Sequence, residues 1–429
     1  MGTFQVGLLL IGTFALLLAL SVPVSVSIII SSVVTMASTL SLDLGTFVAS
    51  QRMVGGVDSF SLLAVPFYIL CGVLMNTGGI AQKLIDFAKI LVGRIPGGLA
   101  HTNILGNTLS GSSVAASVAI GGVLIPMEEK EGYDKKFAAA VNIASAPTGL
   151  IIPPSGILII YPVLAGCSVV GMIMSGYIPG LMWALACMVV AYVIAKKNHY
   201  PTAGKVPASV FFKYFVDAIP SLLLIVIIVG GVMSGIFTAT ESAAVAVAYT
   251  LFLSIVVYRS IKIKDLPKIL LDACETTAVI MFLIAGSNVM SFVMSFTGLP
   301  SAIGNALISV SSNKYVILLI INLVLLVVGC FMDITPAVLI FTPIFLPVVQ
   351  SFGMDPIHFG IMMVMNLGIG NITPPVGSAL FSGCSVADMD MEDMIKPILP
   401  FYAAIFVALM LVAYVPWFSM ALPTLFGAV

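Results

Sequence analysis

Apolar residues run through this chain in stretches longer than one helix needs to cross a bilayer. Charge-free segments cover 1–42, 95–127 (His101 aside), 137–195, 218–240, 276–313 and 397–429. A single span takes about 20 apolar residues, so several of these stretches must fold back on themselves. The pattern predicts an all-α polytopic membrane protein. A membrane barrel would instead alternate over roughly ten residues at a time.

The Lys and Arg residues, 17 in all, set the orientation. They cluster at 83–94, 130–136, 196–213 and 259–268, with Arg52, Lys314 and Lys396 alone. Placing the four clusters on the cytoplasmic side threads the first half, 1–195, through spans at 5–20 and 21–39. An interfacial helix at 43–57, a span at 60–76 and an arm at 77–97 follow. A hairpin at 98–127 enters and leaves on the inner face, a broken span covers 137–166, and 170–194 crosses back. After a cytoplasmic linker at 196–217, the second half, 218–429, has spans at 219–237, 240–257 and 273–293. A hairpin at 315–347 dips in from outside, a broken span covers 357–386, and 398–421 ends outside. Only Arg52 and Lys314 then lie outside, as the positive-inside rule favours, and both termini are periplasmic.

Threaded so, the halves run through the same elements from opposite sides, and their sequences echo at an offset of 221 residues. Pro126 pairs with Pro347, Gly132 with Gly353, Asp134 with Asp355, Gly149 with Gly370 and Ile151 with Ile372. Pro153-Pro154 pairs with Pro374-Pro375, Gly156 with Gly377, and Pro179 with Pro400. Gly and Pro report backbone shape, so these matches predict an inverted-topology repeat. A parallel duplication is the alternative.

Composition narrows the function classes. The chain is 60% hydrophobic and 8% charged, which no soluble surface tolerates. A net charge of −1 makes no appeal to nucleic acid. The six cysteines lack metal-ligand spacing, and the three histidines lie too far apart in sequence for a zinc or haem site. The first apolar run lacks a basic start and exceeds a signal peptide's core, so it reads as retained spans.

Candidate chemistry sits where helices break at membrane depth. Hairpin turns fall at 110–114 (Ser-Gly-Ser-Ser-Val) and 332–336 (Met-Asp-Ile-Thr-Pro), and broken spans at 146–155 and 367–376. Irregular backbone survives in a bilayer only when buried in protein or lining a cavity. Its freed carbonyls form an oxygen cage that suits Na⁺, while half-helix N-terminal ends favour a carboxylate. One sodium ion is expected between the first tip and its broken span, held by Ser110, Ser112 and the backbone of Gly149, Ile152 and Pro154. A second would use Asp333 and Thr335 with the backbone near Gly370 and Thr373. The substrate would lie between the tips, within reach of Ser113, Ser155 and Asn371.

Ser and Gly in a membrane helix otherwise mean close packing. Packing alone, however, asks for no matching between the four segments. Asp333 and Glu241 are the acids well inside apolar runs, where an acid costs about 2.5–3.5 kcal/mol. Asp333 reads as an ion ligand, with a structural hydrogen bond as the alternative. Glu241, at a Thr-Ala-Thr-Glu break, reads as scaffold or helix cap. The 23 methionines read as adaptable packing.

At these residues the sequence resembles a known family. Segment 109–115 with Ile125-Pro126, the Pro-Pro-Ser-Gly at 153–156 and the Gly-Asn-Ile-Thr-Pro-Pro at 370–375 resemble the large membrane subunit of tripartite ATP-independent periplasmic (TRAP) transporters. The likeness covers nearly the whole chain. It implies a bacterial inner-membrane importer driven by sodium, with two or more ions per cycle. It implies an elevator mechanism, in which hairpins and broken spans slide along a fixed scaffold. It also implies a small four-helix membrane subunit as a separate chain, and a periplasmic substrate-binding protein that delivers an organic acid. Sialic acid is the first expectation and C4-dicarboxylates the next.

The alternative of the same class is a self-sufficient sodium/dicarboxylate symporter of the related elevator fold. An intramembrane serine protease is a remote reading, because Ser112 and His101 form no recognisable dyad. An ATP-driven pump would need a Gly-rich phosphate loop, which the sequence lacks.

Overall fold

The computed structural model describes residues 2–108, 110–153, 155–202, 208–311 and 313–428. Among the described residues every regular element is helical, and eight helices are long and apolar enough to cross a membrane. Helices satisfy their own backbone groups, which is what an apolar solvent demands of a segment this poor in polar side chains.

The first half opens with helices Thr3–Ala19, Val24–Thr39 and Leu42–Val57, the last capped by Ser41, whose hydroxyl accepts from the Leu44 amide at 3.3 Å. Helix Ala64–Thr77 and the amphipathic arm Ile80–Val92 follow. The first hairpin is Gly98–Asn107 and Ser113–Lys130. Its broken span is Lys135–Ser145, Thr148–Ile151 and Ile157–Ala165, and Val169–Ser175 with Tyr177–Lys197 closes the half.

The second half begins with Ala208–Met233, Ala239–Phe252, the continuous helix Leu266–Thr297 of 32 residues, and Leu299–Val310. The second hairpin, Lys314–Phe331 and Ile334–Ser351, is followed by a broken span, Pro356–Asn371 and Ser378–Val386. Met391–Tyr414 and Trp417–Leu425 end the chain.

The internal echo is structural as well as sequential. Helices Ser113–Lys130 and Ile334–Ser351 both have 18 residues, Ile157–Ala165 and Ser378–Val386 both have 9, and each pair starts 221 residues apart. Helices Lys135–Ser145 and Pro356–Asn371 start at the same offset, and each is capped by an Asp. Asp134 accepts from the Lys136 amide at 3.0 Å, and Asp355 from the Ile357 amide at 2.7 Å. The turn before each cap holds a left-handed glycine, Gly132 at φ 89° and Gly353 at φ 77°, a conformation that a side chain disfavours.

Tertiary packing sorts the helices into two bundles, each drawn from both halves. Helices of 3–77 pack against those of 208–297, and helices of 98–197 against those of 314–425, while the arm Ile80–Val92 and helix Leu299–Val310 bridge the two, the first onto Gly98–Asn107 and the second onto Ile334–Ser351. The second bundle has the drier centre. Every residue from Ile357 to Asn371 is buried, as is every residue from Phe137 to Ser145.

Three element assignments differ from the sequence reading. The span expected at 273–293 runs from Leu266 to Thr297, and a separate helix, Leu299–Val310, occupies what read as one charge-free stretch. Pro300, in the first turn of that helix, marks the boundary because its ring favours a helix start. The span expected at 398–421 stops at Tyr414, where Val415 precedes Pro416 and is pushed to extended backbone (φ −118°, ψ 95°). Helix Ala208–Met233 begins inside the stretch expected as the linker, 196–217.

Candidate functional site

Both hairpin tips open into one cavity of about 420 Å³. The first tip contributes Ser110, Gly111, Ser112 and Ser113, and the second contributes Asp333, Ile334 and Thr335. The opposite wall comes from the other bundle, with Tyr68 and Asn76 on helix Ala64–Thr77 and Thr276 on Leu266–Thr297. Helices Ser113–Lys130 and Ile334–Ser351 both begin at this cavity, so two N-terminal ends, with their unpaired amides and partial positive charge, face it. Asp333 adds a carboxyl group, and among the described residues no Lys or Arg lines the space.

Each tip is pressed against its own broken span at a glycine. A Cβ on Gly149 would lie 2.6 Å from the Ser110 hydroxyl and 2.7 Å from the Asn107 carbonyl oxygen. On Gly370, the offset-related residue, it would lie 2.4 Å from Gly329 Cα. Only glycine admits so close a backbone approach. The first tip is braced from below by Asn107, which is buried. Its Nδ2 reaches Asn103 Oδ1 (3.1 Å), Asn142 Oδ1 (3.2 Å) and Ser145 Oγ (2.8 Å), while its Oδ1 has no partner.

The expected first-ion residues fall as follows. Ser110 is buried and donates to the carbonyls of Asn107 (3.2 Å) and Ser112 (3.0 Å). Ser112 caps its helix, accepting from the Ala115 amide at 3.4 Å. The Ile152 side chain is buried and turned toward Gly180, where a Cβ would meet it at 2.3 Å. Pro154 lies outside the described residues.

In the second set, Asp333 is exposed to the cavity and accepts from Ser378 Oγ at 3.1 Å. It is therefore open to the cavity, although its sequence neighbours are apolar. Thr335 lines the same cavity. Thr373 turns its hydroxyl back onto the Ile369 carbonyl at 2.6 Å.

Of the substrate candidates, Ser113 lines the cavity, while Asn371 and Ser155 are buried behind it. Asn371 ties the two repeats together. Its Nδ2 donates to Ser113 Oγ at 2.7 Å, and its Oδ1 accepts from the Ala379 amide at 3.3 Å and from the Ser378 hydroxyl. Ser155 Oγ has no partner.

Sequence reasoning missed Ser378, which links Asp333 to Asn371, and Tyr402, whose hydroxyl donates to the Ile372 carbonyl inside the second break. It also missed Asn107. The signal there was two asparagines, 103 and 107, one helical turn apart in an apolar hairpin. Glu241 is a cap: its carboxylate accepts from the Thr238 amide (2.8 Å) and hydroxyl (2.9 Å), and the Thr238 oxygen accepts from its amide (3.2 Å). Among the described residues no serine hydroxyl bonds to a His101 ring nitrogen.

Comparison with known proteins agrees with this architecture. The chain is 50% identical over 425 residues to YgiK of Salmonella typhimurium, covering 98% of each chain. It is 39% identical over 414 residues to the sialic acid TRAP transporter large permease protein SiaM of Vibrio cholerae, covering 96% of each. It is 38% identical over 374 residues to the C4-dicarboxylate TRAP transporter large permease protein DctM of Pseudomonas aeruginosa, covering 86% of this chain and 88% of that one. The crystal structure of the Alcanivorax borkumensis YdaH transporter superposes with a TM-score of 0.66 at 13% identity, covering 88% of this chain and 90% of that one, and so shares the fold. The family model of the DctM component of tripartite ATP-independent periplasmic transporters matches residues 11–418, and the chain belongs to that family of membrane transport subunits.

Proposed function

We propose that this chain is the translocation subunit of a sodium-driven importer of organic acids, with sialic acid the first candidate and C4-dicarboxylates the second. The observation that carries the reading is the cavity between the tips. Two helix N-terminal ends favour a substrate carboxylate, yet Asp333 stands beside them with no Lys or Arg on the walls among the described residues. An anionic substrate and Asp333 would repel each other unless a cation joined them, and the freed carbonyls at both tips suit sodium. Sodium and substrate would then bind together, each raising the affinity for the other.

In this reading the bundle of 98–197 and 314–425 carries the site past the bundle of 3–77 and 208–297 as an elevator. A small four-helix subunit covers the static bundle, and a periplasmic binding protein delivers the acid. The names of SiaM and DctM support the two substrate classes. The distribution of basic residues supports a cytoplasmic linker at 196–217 and periplasmic termini in the bacterial cell.

Asp333→Asn tests the proposal. The variant keeps the shape and one oxygen but removes the charge. It should raise the half-saturating sodium concentration by an amount worth about 1–3 kcal/mol, the scale of one charge-assisted contact. Sodium titration of uptake, with variant and parent at matched protein, is the measurement. An unchanged sodium dependence would remove Asp333 from the ion site.

A further inference from the structure

Glu128 occupies the last turn of helix Ser113–Lys130, one residue past the apolar run of the first hairpin and outside the eight helices long and apolar enough to cross a membrane. Its side chain is 0% exposed, and neither carboxyl oxygen has a hydrogen-bond partner. The polar side chain set against it is Asn103, on the facing helix Gly98–Asn107. Asn103 is itself fully buried. Its Oδ1 is taken up by Asn107 Nδ2 at 3.1 Å, which leaves its own Nδ2 without a partner.

Among the described residues no ion pair reaches the acid, and Arg94 stands on the turn that leads into the facing helix. On its own helix and the following turn stand Glu129, Lys130 and Glu131, and Glu131 makes a negative charge at Glu128 less favourable still. The facing hairpin arm carries His101, whose ring nitrogens have no partner, and the turn after the helix carries Tyr133. Helix Lys135–Ser145 brings Lys135, and Lys136 is engaged with Asp393 at 2.7 Å, while its cap Asp134 binds the Lys136 amide. Helix Ser378–Val386 brings only Cys384. The arm Ile80–Val92 packs Ile85 near Leu124 and carries Lys83, Asp86 and Lys89, of which Lys83 lies 3.9 Å from Asp217. Burial pushes the Glu128 carboxyl well above the usual carboxylate range, because an unpaired buried charge costs more than a bound proton.

We propose that Glu128 is a proton-binding site of the second bundle: the first hairpin closes over the neutral acid, beside the Asn103 side chain. Closing takes one proton from water onto a carboxyl oxygen, and opening or unfolding this end of the hairpin returns it. The site stands apart from the sodium and substrate reading and holds or fails independently of it.

The sign of the effect is fixed. A carboxyl whose folded affinity for protons is raised stabilises the fold most in acid, and that contribution is lost as pH rises through the folded value. The full chain in detergent should therefore lose more thermal stability between about pH 6 and about pH 9 than Glu128→Gln does, with the gap widening toward alkaline pH. The parent, grown with isotope-labelled glutamate, should also show at neutral pH an infrared carbonyl band of a protonated glutamic acid. That band should be absent from Glu128→Gln. The band on the parent decides the matter even if the variant does not fold. Parallel melting curves, or a neutral-pH parent without the band, would overturn the proposal. So would a band that disappears on adding sodium, which would assign the site to a metal cation.

Discussion

Gly370→Ala asks whether the second tip works only while pressed against its broken span. The new Cβ would lie 2.4 Å from Gly329 Cα and carbonyl carbon and 2.9 Å from the Cys330 amide nitrogen, about 1 Å short of ordinary contact. All three neighbours are backbone atoms of helix Lys314–Phe331, so no rotamer change relieves the overlap. Helix Pro356–Asn371 and the hairpin arm must part, stretching the 3.2 Å bond from the Val376 amide to the Cys330 carbonyl. Overpacking of this kind costs about 1–3 kcal/mol, or roughly 5- to 150-fold in an equilibrium constant. Part should appear as a lower Tm and part as a higher half-saturating sodium concentration, because Asp333 follows the displaced arm. The assay is a melting curve together with a sodium titration of uptake in proteoliposomes holding the partner subunit, with binding protein outside. Gly122→Ala is the control. Its Cβ meets only Val386 Cγ1, at an ordinary 3.8 Å, and the helix gains propensity, so Tm should hold or rise. A Gly370→Ala protein with the parent's Tm and the parent's sodium curve would refute the reasoning.

Three further outcomes are expected. Asn371→Ala removes the bonds to Ser113, Ser378 and Ala379 in a buried place, and thermal melts should register a loss of about 1–3 kcal/mol. Uptake should fall with it as the two repeats lose their shared contact. Thr238→Ala opens the capping box with Glu241; Tm should drop modestly while the sodium curve stays where it was, and a shifted sodium curve would give Glu241 a role in transport. A cysteine placed at Thr202, with Cys274 removed, should be silent to an impermeant thiol reagent in intact cells, and labelling from outside would reverse the orientation.

Much of the fold was legible because breaks in an apolar helix are written in a small alphabet. Gly149, Gly156, Gly370 and the Pro374-Pro375 pair each report a backbone event, and such residues seldom arise for side-chain reasons in a span. The position of the tips was legible for the same reason, and Asp333 stood out there as an acid in an apolar run. Partners contributed by distant segments were not. Nothing local marks Ser378 or Tyr402, since each matters through an atom supplied by another helix. Leu299–Val310 was hidden because 276–313 carries no charge to punctuate it, so helix and span looked alike. The exposure of Asp333 was misread because the residues beside it in sequence are apolar while the space beside it in the fold is open.

The interleaving of the two bundles bears on how this chain is made. Helix Lys135–Ser145, buried from Phe137 to Ser145, packs on Met391–Tyr414, which leaves the ribosome some 250 residues later. At roughly 5–20 residues per second, the first broken span waits in the bilayer for tens of seconds without its cover. Its partly polar helix, with Asn142 and Ser145 on one face, must meanwhile be shielded by the translocation machinery or by the first hairpin, whose Asn107 and Ser117 already hold Asn142. The asparagine network would then serve biogenesis before it serves transport, as a provisional clasp on a half-built molecule.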